Sequence, residues 1–535
     1  MTVDWLRNAV VYSVGIESFA DGDGDGWGDF DGIIGRLYHL EHLGVDCLWL
    51  SPVHPSPRRD DGYDVADHFG IDARLGDEAS FARLVDAAHG RGMRILMDLV
   101  ANHTSDQHPW YQDARRSPES QRRGSYIWRE EPDRSLDVQP VFPGVNDDPW
   151  TFDDSAGAWR LARFYQHEPE LDTGDDAVIG DIEAILAFWL DRGVDGFRID
   201  AAPFLVQKAG WRDPSDGGQW VLRRLAAHVR RIDPDAALIG EADVSAEHYD
   251  DYFAGGKGVD GLFDFHTNNH LFLALATGSA EPLRRCMPEH WQIPNGTLLH
   301  WVRSHDELDL EQLAAHERAA VLRELAPRED EQIYGRGIRR RLPPMVDDDR
   351  RRIELAHAIV CSLPGAVVVR YGEEIGMGDD LEQPERLAVR TTMQWTGDAD
   401  AGFSTSPPDR WAHALIDRGP FSNRARNVAE QAADERSLLA QYVRMLAIRR
   451  SLPEIGTCRV AVLDAPESVL LLCYEGERRT VMTAHNLSDR PVEVALPSRM
   501  APVDLIRAET CPRRDVLTLG PYGSSWLTAP AVSPG

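Results

Sequence analysis

Eight short apolar runs, each too brief for a helix, recur along this chain of 535 residues with amphipathic stretches between them. That alternation restricts the fold more than any other feature. The runs are AVVYSV (9–14), CLWLSP (47–52), RILMDLV (94–100), GFRID (196–200), ALIGEA (237–242), GLFDFH (261–266), TLLHWV (297–302) and AVVVRYG (366–372). Continuous apolar runs of this length suit strands buried on both faces. Between them, SFARLVDAAHGRG (80–92) and VIGDIEAILAFWLDRG (178–193) place apolar residues three and four apart, the period of a helix with one buried face. Eight buried strands alternating with helices predict an α/β fold, a (β/α)8 TIM barrel. A doubly wound parallel sheet is the rival arrangement.

Two insertions interrupt the alternation. Residues 103–167, rich in Pro, Asp, Arg and aromatic residues, fall between the third and fourth strands and predict a small inserted domain beside the barrel mouth. Residues 307–350 follow the seventh strand and are strongly charged, which predicts a helical lid or subdomain. From about 452 the period shifts to two, in SVLLLCYEG, RRTVMTAHNLS and VEVALP, as a β-sandwich requires. The expected division is a barrel at 1–102 and 168–451, an inserted domain at 103–167, and a C-terminal β-sandwich domain at 452–535.

Charge and cysteine usage exclude several classes of partner. A formal net charge of −31 repels phosphate backbones and anionic lipid, so neither nucleic acid nor a membrane is expected as partner. The six cysteines are widely spaced, form no CxxC pair, and sit mostly in apolar runs such as VDCLWL and AIVCSL, which reads as buried free thiols. The opening MTVDWLRNAV has no basic segment followed by an apolar stretch, and no apolar run approaches about 18 residues. The expected location is cytoplasmic, and the reading allows a homo-oligomer.

Polar residues cluster at the ends of the proposed strands. Asp98, Asn102 and His103 follow the third, Arg198 and Asp200 lie on the fourth, Glu241 on the fifth, and His305 and Asp306 follow the seventh. In a barrel those ends converge on one mouth. One such carboxylate is ordinarily a helix cap or an ion-pair partner; three with an arginine and two histidines suit glycoside hydrolysis. That reaction uses one carboxylate as nucleophile and a second as acid/base, about 5–5.5 Å apart when configuration is retained. Arg198, two positions before Asp200 and on the same strand face, would hold Asp200 ionised. Glu241 would need a raised pKa to deliver a proton at neutral pH, and Asp306 would stabilise positive charge on the sugar.

Residues 21–32, DGDGDGWGDFDG, alternate carboxylates with glycines and can wrap oxygens around a hard cation. An EF-hand is excluded, because its twelfth position requires glutamate and here holds Gly32.

Four segments, DLVANH (98–103), GFRID (196–200), GEAD (240–243) and SHDE (304–307), resemble the signature segments of the α-amylase superfamily, glycoside hydrolase family 13, in the family's order. The resemblance spans essentially the whole chain. It implies Asp200 as nucleophile, Glu241 as general acid/base and Asp306 as transition-state stabiliser, with His103, Arg198 and His305 lining the subsite for the transferred glucose. RRDDGYDVADH (58–68) and the segment from Arg390, RTTMQW, resemble the oligosaccharide-acting branch; there Asp60 and Arg390 would close the pocket behind the terminal glucose and Tyr63 would stack on its ring. In that branch the loop after the first strand binds calcium, or in some members magnesium. Carried over, the ligands are Asp21, Asp23, Asp25, the carbonyl of Trp27, and Asp29, in a structural role. No organic cofactor is implied.

The implied activity is that of a retaining α-glucosyl enzyme on a small α-glucoside such as maltose. Segments such as SHDELDLEQL and GEEIGMGDD resemble trehalose synthases, which interconvert maltose and trehalose with some hydrolysis. Exo-acting α-glucosidases on α-1,4-linked oligosaccharides are the alternative, and a non-catalytic amylase-like scaffold is a third. HEPELD (167–172) and EADVSAEHYDDYF (241–253) depart from the trehalose synthase pattern on the acceptor side.

Overall fold

A computed structural model of the chain describes residues 3–290, 295–497, 503–506, 509–510 and 515–530. All eight expected strands form: β1 Val10–Val14, β2 Cys47–Leu50, β3 Arg94–Leu99, β4 Gly196–Ile199, β5 Ala237–Gly240, β6 Gly261–Phe263, β7 Thr297–Trp301 and β8 Ala366–Arg370. They close into one parallel barrel in sequence order, with β1 paired to both β2 and β8. The doubly wound alternative is thereby excluded.

Alternate residues of each strand point inward or outward, and the two sets make two cores. Val11, Trp49, Leu96, Ile239, Leu299 and Val368 fill the barrel. Val10, Leu48, Ile95, Phe197, Leu238 and Val367 face the ring of helices. The helices begin at acidic caps that accept main-chain N–H groups: Asp77 for Glu78–His89, Asp175 for Asp176–Leu190 and Asp264 for Phe265–Thr277.

Between β3 and β4 the chain builds a three-stranded antiparallel sheet from Trp128–Arg129, Trp150–Asp153 and Ala158–Leu161. The segment after β7 contains the helix Ala315–Leu325, but also a three-stranded sheet from Leu308–Asp309, Gln332–Ile333 and Gly337–Ile338. The insertion is therefore part helix and part sheet, a small subdomain. Beyond the barrel, a sheet containing Val469–Glu475, Arg479–Asn486 and Ser524–Pro530 packs on the pair Val492–Ala495 and Val516–Leu519. Leu471, Met482, Val494, Leu517 and Leu527 fill the space between them, the interior of a β-sandwich.

Cys47, Cys286, Cys361 and Cys473 are buried free thiols and Cys458 is half-buried. Cys511 lies outside the described residues. Among the described residues, no helix is long and apolar enough to cross a membrane.

Candidate active site

The parallel register sets Asp98 of β3 opposite Arg198 of β4. From there Arg198 organises the mouth: its Nη1 donates to Asp98 Oδ1 and Asp200 Oδ1, each at 2.8 Å, and its Nη2 lies 2.5 Å from Glu241 Oε1. One fully buried guanidinium therefore holds the two carboxyl groups that the chemistry would require side by side. The Ala201 N–H donates to the other oxygen of Glu241 at 3.0 Å. Ala201 reaches that position with φ +52, a left-handed backbone that strands seldom adopt and that turns the chain sharply just past Asp200.

Asp306 sits across the cavity in a different field. Its Oδ1 accepts from Arg386 Nη1 at 2.7 Å and Arg390 Nη2 at 2.9 Å, and its Oδ2 lies 3.0 Å from His305 Nε2. Burial alone would raise its pKa, but His305, Arg386 and Arg390 outweigh that and hold it well below the usual carboxylate range. Asp200 is balanced the other way. Burial and the neighbouring Glu241, Asp98 and Asp306 push its carboxyl well up, and Arg198 pulls it down without cancelling them. Arg198 does bond to Asp200, as expected of a residue that would hold it ionised, but it is shared with Asp98 and Glu241, and burial with those acids keeps the Asp200 carboxyl raised.

Asp60 and Arg390 do meet at the rear of the cavity, but not as a direct pair. They lie 3.9 Å apart, while Arg386 Nη2 donates to Asp60 Oδ1 at 2.6 Å and Arg390 Nη1 to Asp61 Oδ2 at 2.5 Å. Arg386, which sequence reasoning missed, is the residue that joins Asp60 to Asp306. Tyr63 stacks face to face on His305 with ring centroids 5.6 Å apart, and its hydroxyl donates to Asp98 at 2.9 Å.

His103 lines the cavity; burial lowers its pKa to about 3, so the ring is neutral. Its Nε2 has no partner, and 3.9 Å away is Glu168, completely buried, whose Oε1 is also unpartnered. Burial, with Asp60 and Asp64 nearby, pushes the Glu168 carboxyl well up. The other glutamate of HEPELD, Glu170, is held well down by Arg163 and Lys208 against the effect of burial. Lys208 Nζ also donates to Asn102 Oδ1 at 2.6 Å, which ties the end of β3 to the inserted segment.

The cavity these residues enclose measures about 280 Å³. Phe142, Phe164, Phe204, Phe263 and Trp301 supply apolar walls against which sugar rings can pack. Asp243, Glu307, Asp309 and Arg336 line it as well. The two insertions meet above it: Phe142 packs on Tyr334 with ring centroids 4.8 Å apart, and the hydroxyls of Tyr165 and Tyr334 both donate to Glu385, at 3.0 and 2.9 Å.

The acidic loop after β1 lies apart from this cavity. Oxygens of Asp21, Asp23 and Asp29 lie within 4.8 Å of one another, while Asp25 falls outside that group and accepts the Trp27 N–H at 2.8 Å. Asp29 also caps the helix Phe30–Leu43 through the Gly32 N–H at 2.6 Å. Burial raises both Asp23 and Asp29, and among the described residues no Lys, Arg or His forms an ion pair with any of the three. A hard, oxygen-seeking cation fits that donor set. The glycines follow from the geometry: Gly26 has φ +106, and a Cβ on Gly32 would stand 1.9 Å from the Ala20 carbonyl oxygen.

Comparison with known proteins bears on this arrangement. Residues 14–324 and 336–456 match the family model of the alpha amylase catalytic domain. A trehalose synthase from Thermus thermophilus is 38% identical over 97% of this chain, which spans 55% of that protein's length. The trehalose synthase/amylase TreS of Mycobacterium tuberculosis (strain ATCC 25618 / H37Rv) is 36% identical over 98% of this chain and 90% of its own. Among solved structures, the alpha-glucosyl transfer enzyme XgtA superposes with a TM-score of 0.79 at 25% identity, covering 98% of this chain and 99% of that one.

Proposed function

The chain belongs to the α-amylase family, and on that premise we propose that it is a retaining α-glucosyl enzyme that isomerises a maltose-sized α-glucoside, the reaction of a trehalose synthase. The observation that carries this reading is a cavity closed on one side by Asp60 and Arg386, where Arg386 packs on Phe142 and bonds the Tyr165 hydroxyl at the contact of the two insertions. Such a pocket suits a disaccharide taken whole better than a long chain threaded through.

In this reading Glu241 gives a proton to the glycosidic oxygen as that bond breaks, and Asp200 attacks the anomeric carbon to form a β-glucosyl ester. Asp306, kept ionised by Arg386 and Arg390, stabilises the positive charge that develops on the ring. Released glucose stays under the bridge of Phe142, Tyr334 and Glu385, turns, and offers its anomeric hydroxyl. Glu241 removes that proton, the ester breaks, and the α,α-1,1 linkage forms. Water arriving first gives two glucose molecules instead, the outcome of an α-glucosidase.

The acidic loop would hold a structural Ca²⁺, or Mg²⁺, through Asp21, Asp23 and Asp29, away from the reacting atoms. The four buried thiols support a reducing, cytoplasmic setting.

NMR of the products formed from maltose tests the proposal. Trehalose accumulating ahead of free glucose, and lost in Asp200→Asn, is expected. Glucose alone, released first as the α-anomer, overturns isomerisation in favour of hydrolysis, and an active Asp200→Asn variant overturns the assigned nucleophile.

A further inference from the structure

Behind the wall of the cavity, one carboxyl meets two imidazoles and bonds to neither. Glu168 is completely buried; its Oε2 lies 3.9 Å from His103 Nε2 and its Oε1 3.7 Å from His167 Nε2. Both ring nitrogens and Oε1 lack any hydrogen-bond partner, and Oε2 accepts only the Tyr165 N–H, at 3.3 Å. Buried polar atoms are ordinarily satisfied, so three left open at one contact need a reason. Among the described residues no Lys or Arg forms an ion pair with Glu168. Arg386, the cation that faces it, gives Nη1 to Asp306 and Nη2 to Asp60. Arg59 faces His167 but is held by Asp64 and Asp106, and Arg160, the other cation on that side, stacks on Tyr111. Glu170 and Lys208, which face His103, pair with each other.

The proton on the His103 ring has a definite place. Lys208 Nζ donates to Asn102 Oδ1 at 2.6 Å, which turns the NH₂ of that amide to His103 Nδ1 at 3.2 Å. Nδ1 therefore accepts, and the neutral ring carries its one proton on Nε2, the atom that faces Glu168. We propose that Glu168 is a positioning residue for the glucosyl subsite, deciding whether His103 gives its Nε2–H to the sugar or to the wall behind. Burial, with Asp60 and Asp64 nearby to repel a further negative charge, keeps the Glu168 carboxyl neutral. A neutral carboxyl competes weakly for the N–H, which stays open to a hydroxyl of the glucoside. An ionised one accepts far more strongly than a hydroxyl and would draw the ring away. Raising the pH should therefore weaken glucoside binding, an effect on KM separate from the ionisations of Asp200 and Glu241 that govern kcat. The inference rests on the reading of the cavity as a glucoside site.

The test follows maltose turnover with pH in the parent and in Glu168→Gln, and in both, without sugar, the His103 Nε2–H signal by heteronuclear NMR. Glutamine keeps the shape of the side chain and cannot ionise. Between about pH 6 and 9 the KM of the parent should rise several-fold more than that of the variant, with the same pH dependence of kcat in both. The parent's Nε2–H signal should move over the same interval, and the variant's should stay in place. A KM rise equal in the two, or absent from both, overturns the proposal. So does a parent signal that stays fixed, and that measurement decides alone if the variant does not fold. No turnover of maltose at any pH overturns the reading of the cavity instead, and the two NMR titrations then decide whether Glu168 governs His103.

Discussion

Asp243 shows how one side chain couples chemistry to stability. Burial, with Asp309, Glu311 and Glu241 close by, lifts its carboxyl to about 8 from an ordinary value of 3.8, while its one strong partner is Gln312 Nε2 at 2.7 Å. Between those two pH values the folded chain keeps a proton that the unfolded chain has lost. Its contribution to stability therefore falls as pH climbs from about 4 through about 8. Asp243→Asn keeps the Gln312 contact and removes the titration. Thermal unfolding should find the variant matching the parent near pH 4 and exceeding it by about 2–4 kcal/mol at pH 8; equal stability at both would refute the shift. The residue also shows what the sequence discloses at this scale. Asp200, Glu241 and Asp306 were legible because the reaction needs carboxylates at strand ends and a barrel offers few. Arg386 and Glu168 were not, since Arg386 meets Asp60 across 326 positions and Glu168 matters only through what burial denies it.

At the scale of elements, the barrel strands were the easiest to read, because strands buried on both faces need continuous apolar runs that neither turns nor exposed helices tolerate. The insertion after β7 was the hardest. Its three strands are two residues long, and a period cannot be recognised over two positions. Yet that insertion backs the cavity wall, where Tyr334, itself at φ +55, packs on Phe142 and bonds Glu385. Phe142→Ala should open the contact and admit water. The ratio of free glucose to trehalose from maltose is expected to rise several-fold with the rate of maltose loss little changed; an unaltered ratio would mean that the bridge does not govern the acceptor's residence. The loop after β1 gives a second test at this scale. If a cation joins Asp21, Asp23 and Asp29, chelation followed by gel filtration should lower Tm by several degrees, and Ca²⁺ should restore it in a saturable way. Asp29→Ala should be insensitive to both treatments, although losing the cap on Phe30–Leu43 will by itself cost about 1 kcal/mol.

For the molecule as a whole, the question is whether barrel and sandwich unfold together. The shift to period two after residue 452 made the sandwich legible as a separate stretch, but not how firmly it joins the rest. One apolar core runs through both: Leu470, Leu472, Tyr474, Val481 and Trp526 of the sandwich belong to the same buried cluster as Ile353, Ile359 and Leu446 of the barrel's helices. Polar contacts cross the same boundary. The Tyr474 hydroxyl donates to the Ser362 carbonyl, His485 Nε2 lies 2.9 Å from Ser362 Oγ, and the Ala280 N–H donates to the Glu467 carbonyl at 2.8 Å. Neither part can leave without exposing the other's core, so calorimetry should record one endotherm rather than two. Tyr474→Phe strands a buried carbonyl at that boundary and should cost about 1–3 kcal/mol. In a coupled molecule that loss lowers the single transition as a whole and inactivation shifts with it. In an uncoupled one the sandwich would melt first as a separate step, with activity surviving to the original temperature, and that outcome would refute the shared core.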